Sequence, residues 1–235
     1  HRDLHSFPTR RSSDLLTYYA ERFQSVEINH SFYKLPEIKA LKAWKDAVPQ
    51  GFTFSVKASR YITHMKKLKD TQESLSLFLE RIDVLGEKLG PVLFQLPGRW
   101  RFNAERFDRF LHSLPAGHRF AFEFRDPSWH NREVYEALQA AGAALCIHEF
   151  AGWLSPLETP GPFVYIRLHG PGRAYQGKYG PETLSEWAGV LAGWAKKGFD
   201  GYCYFDNDEA GYAAENASML QGMLRRGKVA RAPEG

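Results

Sequence analysis

Alternation with a period of two marks several short stretches of the chain as strands. Val26 and Ile28 share one face of Val26 to Asn29, with Glu27 and Asn29 on the other. Phe52, Phe54 and Val56 oppose Thr53, Ser55 and Lys57. Phe120, Phe122 and Phe124 oppose Ala121, Glu123 and Arg125, and Val164, Ile166 and Leu168 oppose Tyr165, Arg167 and His169. Pro91 to Leu96, Ala144 to His148 and Tyr202 to Phe205 complete seven predicted strands. Helical spacing separates them. Leu16 to Phe23 reads as the end of a helix, and Glu37 to Val48 carries Ile38, Leu41 and Val48 on a buried face. Leu75, Phe78, Leu79 and Ile82 predict a helix from an Asp70 or Thr71 cap to about Lys88. Asn103 caps a helix bearing Phe107, Phe110 and Leu111, Asn131 opens another to Ala141, and Pro181 starts one that reaches Lys197. A closing helix spans Gly211 to Leu224, and the basic tail from Arg225 is expected to be a disordered end. Between the fifth and sixth strands the pattern is Pro- and Gly-rich, so that connection is weakly helical.

Repeated strand–helix units require a mainly parallel sheet. Eight such units make a TIM (β/α)8 barrel, and the count here is one short. The shortfall falls before Leu16, so the predicted fold class is α/β, a TIM-type barrel lacking its first strand. An open doubly wound sheet is the alternative, but it calls for a Gly-rich phosphate turn after an early strand, and none is visible. In a barrel the apolar faces meet the outer helices, and the polar faces turn to the axis. Charges late in each strand then lie at the C-terminal mouth, where sites on this fold are built. On that parity Glu27, Lys57, Glu123, Arg125, Arg167 and His169 are expected to converge on one cavity. Filling a barrel with ion pairs for structure alone is costly, since desolvation takes several kcal/mol per ion.

The first fifteen residues, HRDLHSFPTRRSSDL, carry neither period and lack the apolar core of a signal peptide. Asp3 and Asp14 argue against a transit peptide. The string resembles translated sequencing-adapter DNA, so residues 1–15 are expected to be non-native, 16–224 to form a single domain, and 225–235 to be a tail. Over the 235 residues, charged residues are 25% and hydrophobic ones 43%, which excludes collagen-like and disordered classes. Two cysteines, Cys146 and Cys203, exclude a disulfide framework and point to a reducing compartment, the cytoplasm. No apolar run reaches the roughly 18 residues of a membrane span. A net charge of +4 is slight for a nucleic-acid binder, although the pI near 9.0 keeps that reading open.

The chemistry these residues suit is an enzyme acting on a small polar anion, a sugar or sugar phosphate. Arg125, Arg167, Lys57 and His64 supply positive charge, and Arg grips phosphate or carboxylate bidentately. Tyr33, Trp129, Tyr175 and Tyr179 offer rings to stack on a sugar face, or else fill the rim. Glu27 and Glu123 are general acid or base candidates, and Lys57 a lower-ranked Schiff-base amine. No cofactor is expected. The alternative is a divalent metal held by Glu27, Glu123, His148, His169 and Asp206, although no His-x-x-x-His spacing supports it. A third reading, a nucleic-acid or protein-binding module, is disfavoured because the cations are enclosed by carboxylates rather than spread as an open stripe. The expected partner is therefore a small-molecule substrate, with neither nucleic acid nor a membrane.

Ordered segments carry a resemblance to the YecE-like family, domain of unknown function 72. They are Val26-Glu-Ile-Asn-His-Ser-Phe-Tyr33, Phe52-Thr-Phe-Ser-Val-Lys57, Ile62-Thr-His64 and Leu89-Gly-Pro-Val-Leu-Phe-Gln-Leu-Pro97. Phe122-Glu-Phe-Arg125 with Ser128-Trp129, Arg167-Leu-His-Gly170, Tyr175-Gln-Gly-Lys-Tyr179 and Tyr204-Phe-Asp-Asn-Asp208 follow, with Gly211 and Asn216-Ala217 downstream. The family is similar to TIM barrels and opens on a strand with a Gly-Thr-Ser-Gly-Trp stretch that is missing here; its naming implies a loose kinship to sugar isomerases. Asp206 stands where the family more often has Asn, and Gly98 where a second Pro is usual. The resemblance and the parity together nominate Glu27, Lys57, Glu123 and His169 as catalytic. They nominate Asn29, Tyr33, Thr63, His64, Gln95, Arg125, Trp129, Arg167, Tyr175, Tyr179 and Asn207 as substrate-binding.

Overall fold

The computed structural model describes residues 12–229, with side chains over 16–226. Residues 1–11 of the expected foreign segment lie outside the described residues, while helix α1, Ser12–Ala20, begins inside that segment. The chain divides into two compact units, His1–Ala143 and Ala144–Gly235.

The first unit holds four parallel strands, β1 (Ser25–Ile28), β2 (Thr53–Lys57), β3 (Leu89–Leu96) and β4 (Phe120–Phe124), paired in chain order. Helices α2 (Ile38–Ala47), α3 (Gln72–Ile82) and α4 (Ala104–His112) make the crossovers, and α5 (Arg132–Ala140) follows β4. The caps are local. Asn103 Oδ1 accepts from the Arg106 N–H and Asn131 Oδ1 from the Val134 N–H, each satisfying a donor that the first helical turn leaves open. Register aligns Glu27 with Ser55, Lys57 with Leu93, and Gln95 with Glu123, so these residues share one face of the sheet. The opposite face is a bed of rings. Phe94 meets Phe110 with centroids 5.1 Å apart, and Phe107 meets Phe122 at 5.4 Å and Trp129 at 5.2 Å, mostly edge to face.

The second unit pairs β5 (Ala144–Phe150) with β7 (Phe163–Leu168), and β7 with β8 (Asp200–Phe205), all parallel. A two-residue strand, β6 (Trp153–Leu154), runs antiparallel to β5. Helix α6 (Pro181–Lys196) opens on its proline, and α7 (Tyr212–Val229) closes the described chain. Ile147, Val164, Ile166 and Leu168 pack on Leu184, Trp187, Leu191 and Leu220 of the two helices. The other face aligns His148, Arg167 and Tyr204.

The fold class is α/β of the TIM-barrel type, with seven parallel strands among the described residues and helices on their apolar faces. Several local expectations are corrected. The connection after β5 carries a hairpin rather than a helix, because Ala151 and Gly152 both take positive φ and turn the chain straight back. The tail from Arg225 is helical as far as Val229, as a continuation of α7. The third helix stops at Ile82 and gives way to 3₁₀ turns broken at Gly86, and Thr71 stands at its N-cap without a side-chain bond. Lys88, at the end of those turns, donates from Nζ to the Lys45 and Val48 carbonyls at 2.7 Å each, satisfying the C-terminal end of α2. Among the described residues no helix is long and apolar enough to cross a membrane.

Phe107 is 1% exposed inside the ring cluster, whereas Leu77 of α3 is 54% exposed. Phe107→Ala is expected to cost about 3–5 kcal/mol through lost burial and the cavity left behind, and Leu77→Ala less than about 0.5 kcal/mol. Paired urea midpoints measure both.

Candidate functional site

In the first unit the nominated residues gather at the C-terminal ends of β1 to β4. Glu27 is half-buried on β1, and Asn29, also half-buried, precedes the 3₁₀ turn His30–Phe32. Ser31 in that turn is fully buried; its hydroxyl donates to the Lys57 carbonyl at 2.6 Å and also lies 3.0 Å from the Ile28 carbonyl. The turn after β1 is thus tied to the end of β2. Lys57 Nζ sits 4.4 Å from the centre of the Phe32 ring, a cation–π contact. Phe32 meets His64 edge-on at 4.9 Å and Tyr33 at the same distance; Tyr33 is 57% exposed.

Glu123 is fully buried on β4, and its Oε1 accepts from Gln95 Nε2 at 2.8 Å and from Arg125 Nε. A carboxylate taken wholly out of water needs such donors to remain charged. Parity explains the trio. Gln95 and Glu123 are register partners on one face, and Arg125 lies two residues beyond Glu123.

Thr63 and His64 sit on a single π-helical turn, Tyr61–Met65, a rare form concentrated at functional sites. Thr63 Oγ1 donates to the Ser59 carbonyl at 3.2 Å and lies 2.9 Å from His64 Nδ1. With the hydroxyl proton committed, Oγ1 accepts from Nδ1–H, which leaves His64 Nε2 as the acceptor nitrogen. Burial, then the charges of Lys57 and Arg60 and, least, Arg125, push the His64 imidazole down to about 4, against an upward pull from Glu123. It is a neutral ring at pH 7 in a field that favours anions. Immediately after the turn, Lys67, Leu68 and Asp70 all take positive φ, a strained backbone for side chains of their kind.

In the second unit Arg167 and His169 are 2% and 0% exposed. Arg167 Nη2 reaches Asp206 Oδ2 at 2.6 Å, and His169 Nδ1 stands 3.2 Å from the same oxygen. Arg167 Nη1 is 3.5 Å from His169 Nε2. Asp206, just past β8, is therefore the counter-ion of a buried guanidinium and lies against the imidazole. Asn207 is buried; its Nδ2 donates to the Gly177 carbonyl at 2.8 Å and to Asn216 Oδ1 at 2.9 Å. Asn216 on α7 also accepts from the Tyr179 N–H and donates to the Tyr179 carbonyl, so one side chain holds both backbone groups of that residue.

Two of the four nominated stacking rings lie in the core. Trp129 is fully buried, stacked on Phe124 at 4.8 Å with Nε1 donating to the Trp100 carbonyl. Tyr179 is 1% exposed among the α6 and α7 side chains, and its hydroxyl accepts from the Gly170 N–H. Burial and the nearby Glu149 carboxylate push the Tyr179 phenol far upward, and burial raises Glu149 above the usual carboxylate range despite its bond with Tyr179. Tyr33 and Tyr175 remain at the surface, 57% and 50% exposed. Among the described residues no group of three or more His, Cys, Asp and Glu is placed to hold a metal ion.

Sequence reasoning gave no role to Arg60, Asn216, Glu149 or Trp153, and weighed Asp206 only as a metal ligand. The Ala-Gly pair before Trp153 lacks the Asn-Gly or Asp-Gly signature of a two-residue hairpin turn, and a lone Asn on an amphipathic helix signals little.

The family described as "Protein of unknown function DUF72" matches residues 2–235. UPF0759 protein YunF of Bacillus subtilis strain 168 is 23% identical over 256 residues, covering 92% of this chain and 89% of YunF. UPF0759 protein YecE of Escherichia coli strain K12 is 29% identical over 114 residues, 47% of this chain. That alignment spans 41% of the length of YecE. A crystal structure of a DUF72 family protein from Thermotoga maritima MSB8 superposes with a TM-score of 0.81 at 28% identity, over 91% of this chain and 90% of that one.

Because His64 is lowered from 6.5 to about 4, the unfolded chain binds more protons than the folded one between those values. Its contribution to stability is therefore full above about pH 6.5 and falls as the pH drops toward 4. His64→Gln is expected to flatten denaturation midpoints across that window, and the His64 ring resonances to titrate near 4.

Proposed function

The chain belongs to the DUF72 family, and on that premise we propose that it is an enzyme acting on a small polar anion, a sugar or sugar phosphate. The observation that carries the reading is a fully buried carboxylate, Glu123, clasped by Arg125 beside a neutral imidazole on which Lys57, Arg60 and Arg125 all act. Arg125 is paired with Glu123, and Lys57 and Arg60 add positive charge around His64 that favours an anion; a guanidinium suits phosphate or carboxylate. Glu27 and Glu123 are the proton-transfer groups of this reading, with Lys57 as a cation that steadies developing negative charge. The strained turn after His64 supports it as well, since such backbones persist where geometry is in use. His64 Nε2 is the natural acceptor for a substrate hydroxyl.

A thermal-shift screen of the full chain against inorganic phosphate and a panel of pentose and hexose phosphates tests the proposal, because a ligand that binds only the native state raises the melting point. At least one sugar phosphate at a hundred times its Kd should add about 2.7 kcal/mol of apparent stability, and Lys57→Met should remove most of that gain. A panel with no shift, or an undiminished shift in Lys57→Met, overturns the reading.

A further inference from the structure

The connections at the C-terminal ends of the first unit's strands carry cations that reach well beyond His64 and Glu123. Lys34 follows β1; Arg60, Lys66, Lys67 and Lys69 follow β2; Arg99 and Arg101 follow β3. The acids in the connections after β1 to β4 are Glu37, Asp70 and Asp126. The first turns of α2 to α5 balance, with Lys39, Arg106 and Arg132 against Glu73, Glu105 and Glu133. At the opposite end of the same strands the connections are even, with Arg22, Lys88 and Arg119 against Glu21, Asp83 and Glu87. Positive charge is thus gathered at one end of the sheet. Among the described residues none of the cations after β1, β2 and β3 forms an ion pair, and all are exposed except the half-buried Lys66. The cations enclosed by carboxylates are the strand-borne ones and Arg125; these others form an open stripe.

The longest of these connections is a fixed support. Ile62, Thr63 and Leu68 are buried beneath it, the Leu68 N–H donates to the Ile62 carbonyl at 3.0 Å, and the Lys69 N–H donates to the Lys66 carbonyl at 3.0 Å. With Leu68 turned in, Lys67 and Lys69 on either side of it are turned out. Rings share this face. Tyr61, 43% exposed, has Lys66 Nζ 5.7 Å from its ring centre. Tyr33, 57% exposed, is joined to His64 of the same turn through Phe32, each contact 4.9 Å between ring centres.

A lone phosphate is held by one or two cations. Cations spread over three neighbouring connections match a row of phosphates, and exposed rings among them match bases, whose flat faces stack in any sequence. An anionic bilayer would call for Trp, Phe or Leu beside the cations. Among the described residues the large apolar side chains exposed in these connections are Tyr33, Tyr61 and Met65 alone. We propose that this face of the first unit binds a single strand of nucleic acid, with phosphates along Arg60 to Lys69, Arg99 and Arg101 and bases against Tyr61 and Tyr33. The inference goes beyond the function proposed above and requires no turnover of a sugar phosphate.

Fluorescence anisotropy of the full chain with labelled oligothymidylate and oligouridylate tests it, with a duplex of the same length, phosphatidylserine vesicles and polyglutamate as further arms. At least one single strand should bind, more tightly than the duplex, and its affinity should fall as salt rises from about 50 to 200 mM. Lys69→Gln, Arg99→Gln and Arg101→Gln combined should flatten the slope of log affinity against log salt by about 2, at about 0.7 per phosphate contact. Tyr61→Ala should weaken binding about tenfold without altering that slope, and Tyr61→Phe should retain most of the affinity. Lys196→Gln with Lys197→Gln, an exposed pair in the second unit, should change neither quantity. Absence of single-strand binding, an unchanged slope in the triple variant, an equal loss in the Lys196 and Lys197 control, or preference for vesicles or polyglutamate over the single strands overturns the proposal.

Discussion

A side chain in a β-strand faces opposite to its neighbours, so Phe122 cannot point into the ring cluster without Glu123 pointing away from it. The same coupling joins Ile166 to Arg167 and Val56 to Lys57. Apolar residues needed by the helices at one face thus determine where every strand-borne charge goes. A slip of one residue in β4 would turn Glu123 into the phenylalanine cluster and the Phe122 ring out of it, which makes register there an all-or-none property. The site and the core are two readings of one alternation.

Each unit solves the resulting burial of charge with a different pair. Glu123 is satisfied from its own strand and from the adjacent one, by Arg125 and Gln95. Arg167 is satisfied from the next strand, by Asp206, which also touches His169. Neither arrangement is a device for stability, since desolvation consumes most of what such pairs gain. Both place a polarised, dry group at the C-terminal end of a strand, where the TIM-barrel type of fold positions its chemistry.

Much of this was legible in the residues. The cap at Asn103, the helix opening at Asn131, the opening proline at Pro181 and the alternation of four strands follow from local rules, and the structure bears them out. What was not legible depended on distance in the chain. Whether Trp129 meets water is decided by Phe107, Phe124 and Trp100, which alternation cannot see. The downward shift of His64 depends first on burial and then on Lys57, Arg60 and Arg125, opposed by Glu123, and of these charges only Arg60 is near it in sequence. The hairpin at Trp153 was hidden for another reason, being two residues long and flanked by loop-forming glycine and proline.

The bond pattern of Asn216 has a kinetic consequence. Its amide closes on the backbone of Tyr179 and on Asn207, so the start of α7, the segment ending in Tyr179 and the chain after β8 are fastened at a single side chain. Such a knot makes their opening one cooperative event. Amide protons along these three segments should exchange with solvent at a shared rate, and a protease that cuts one should find the others open at the same moment.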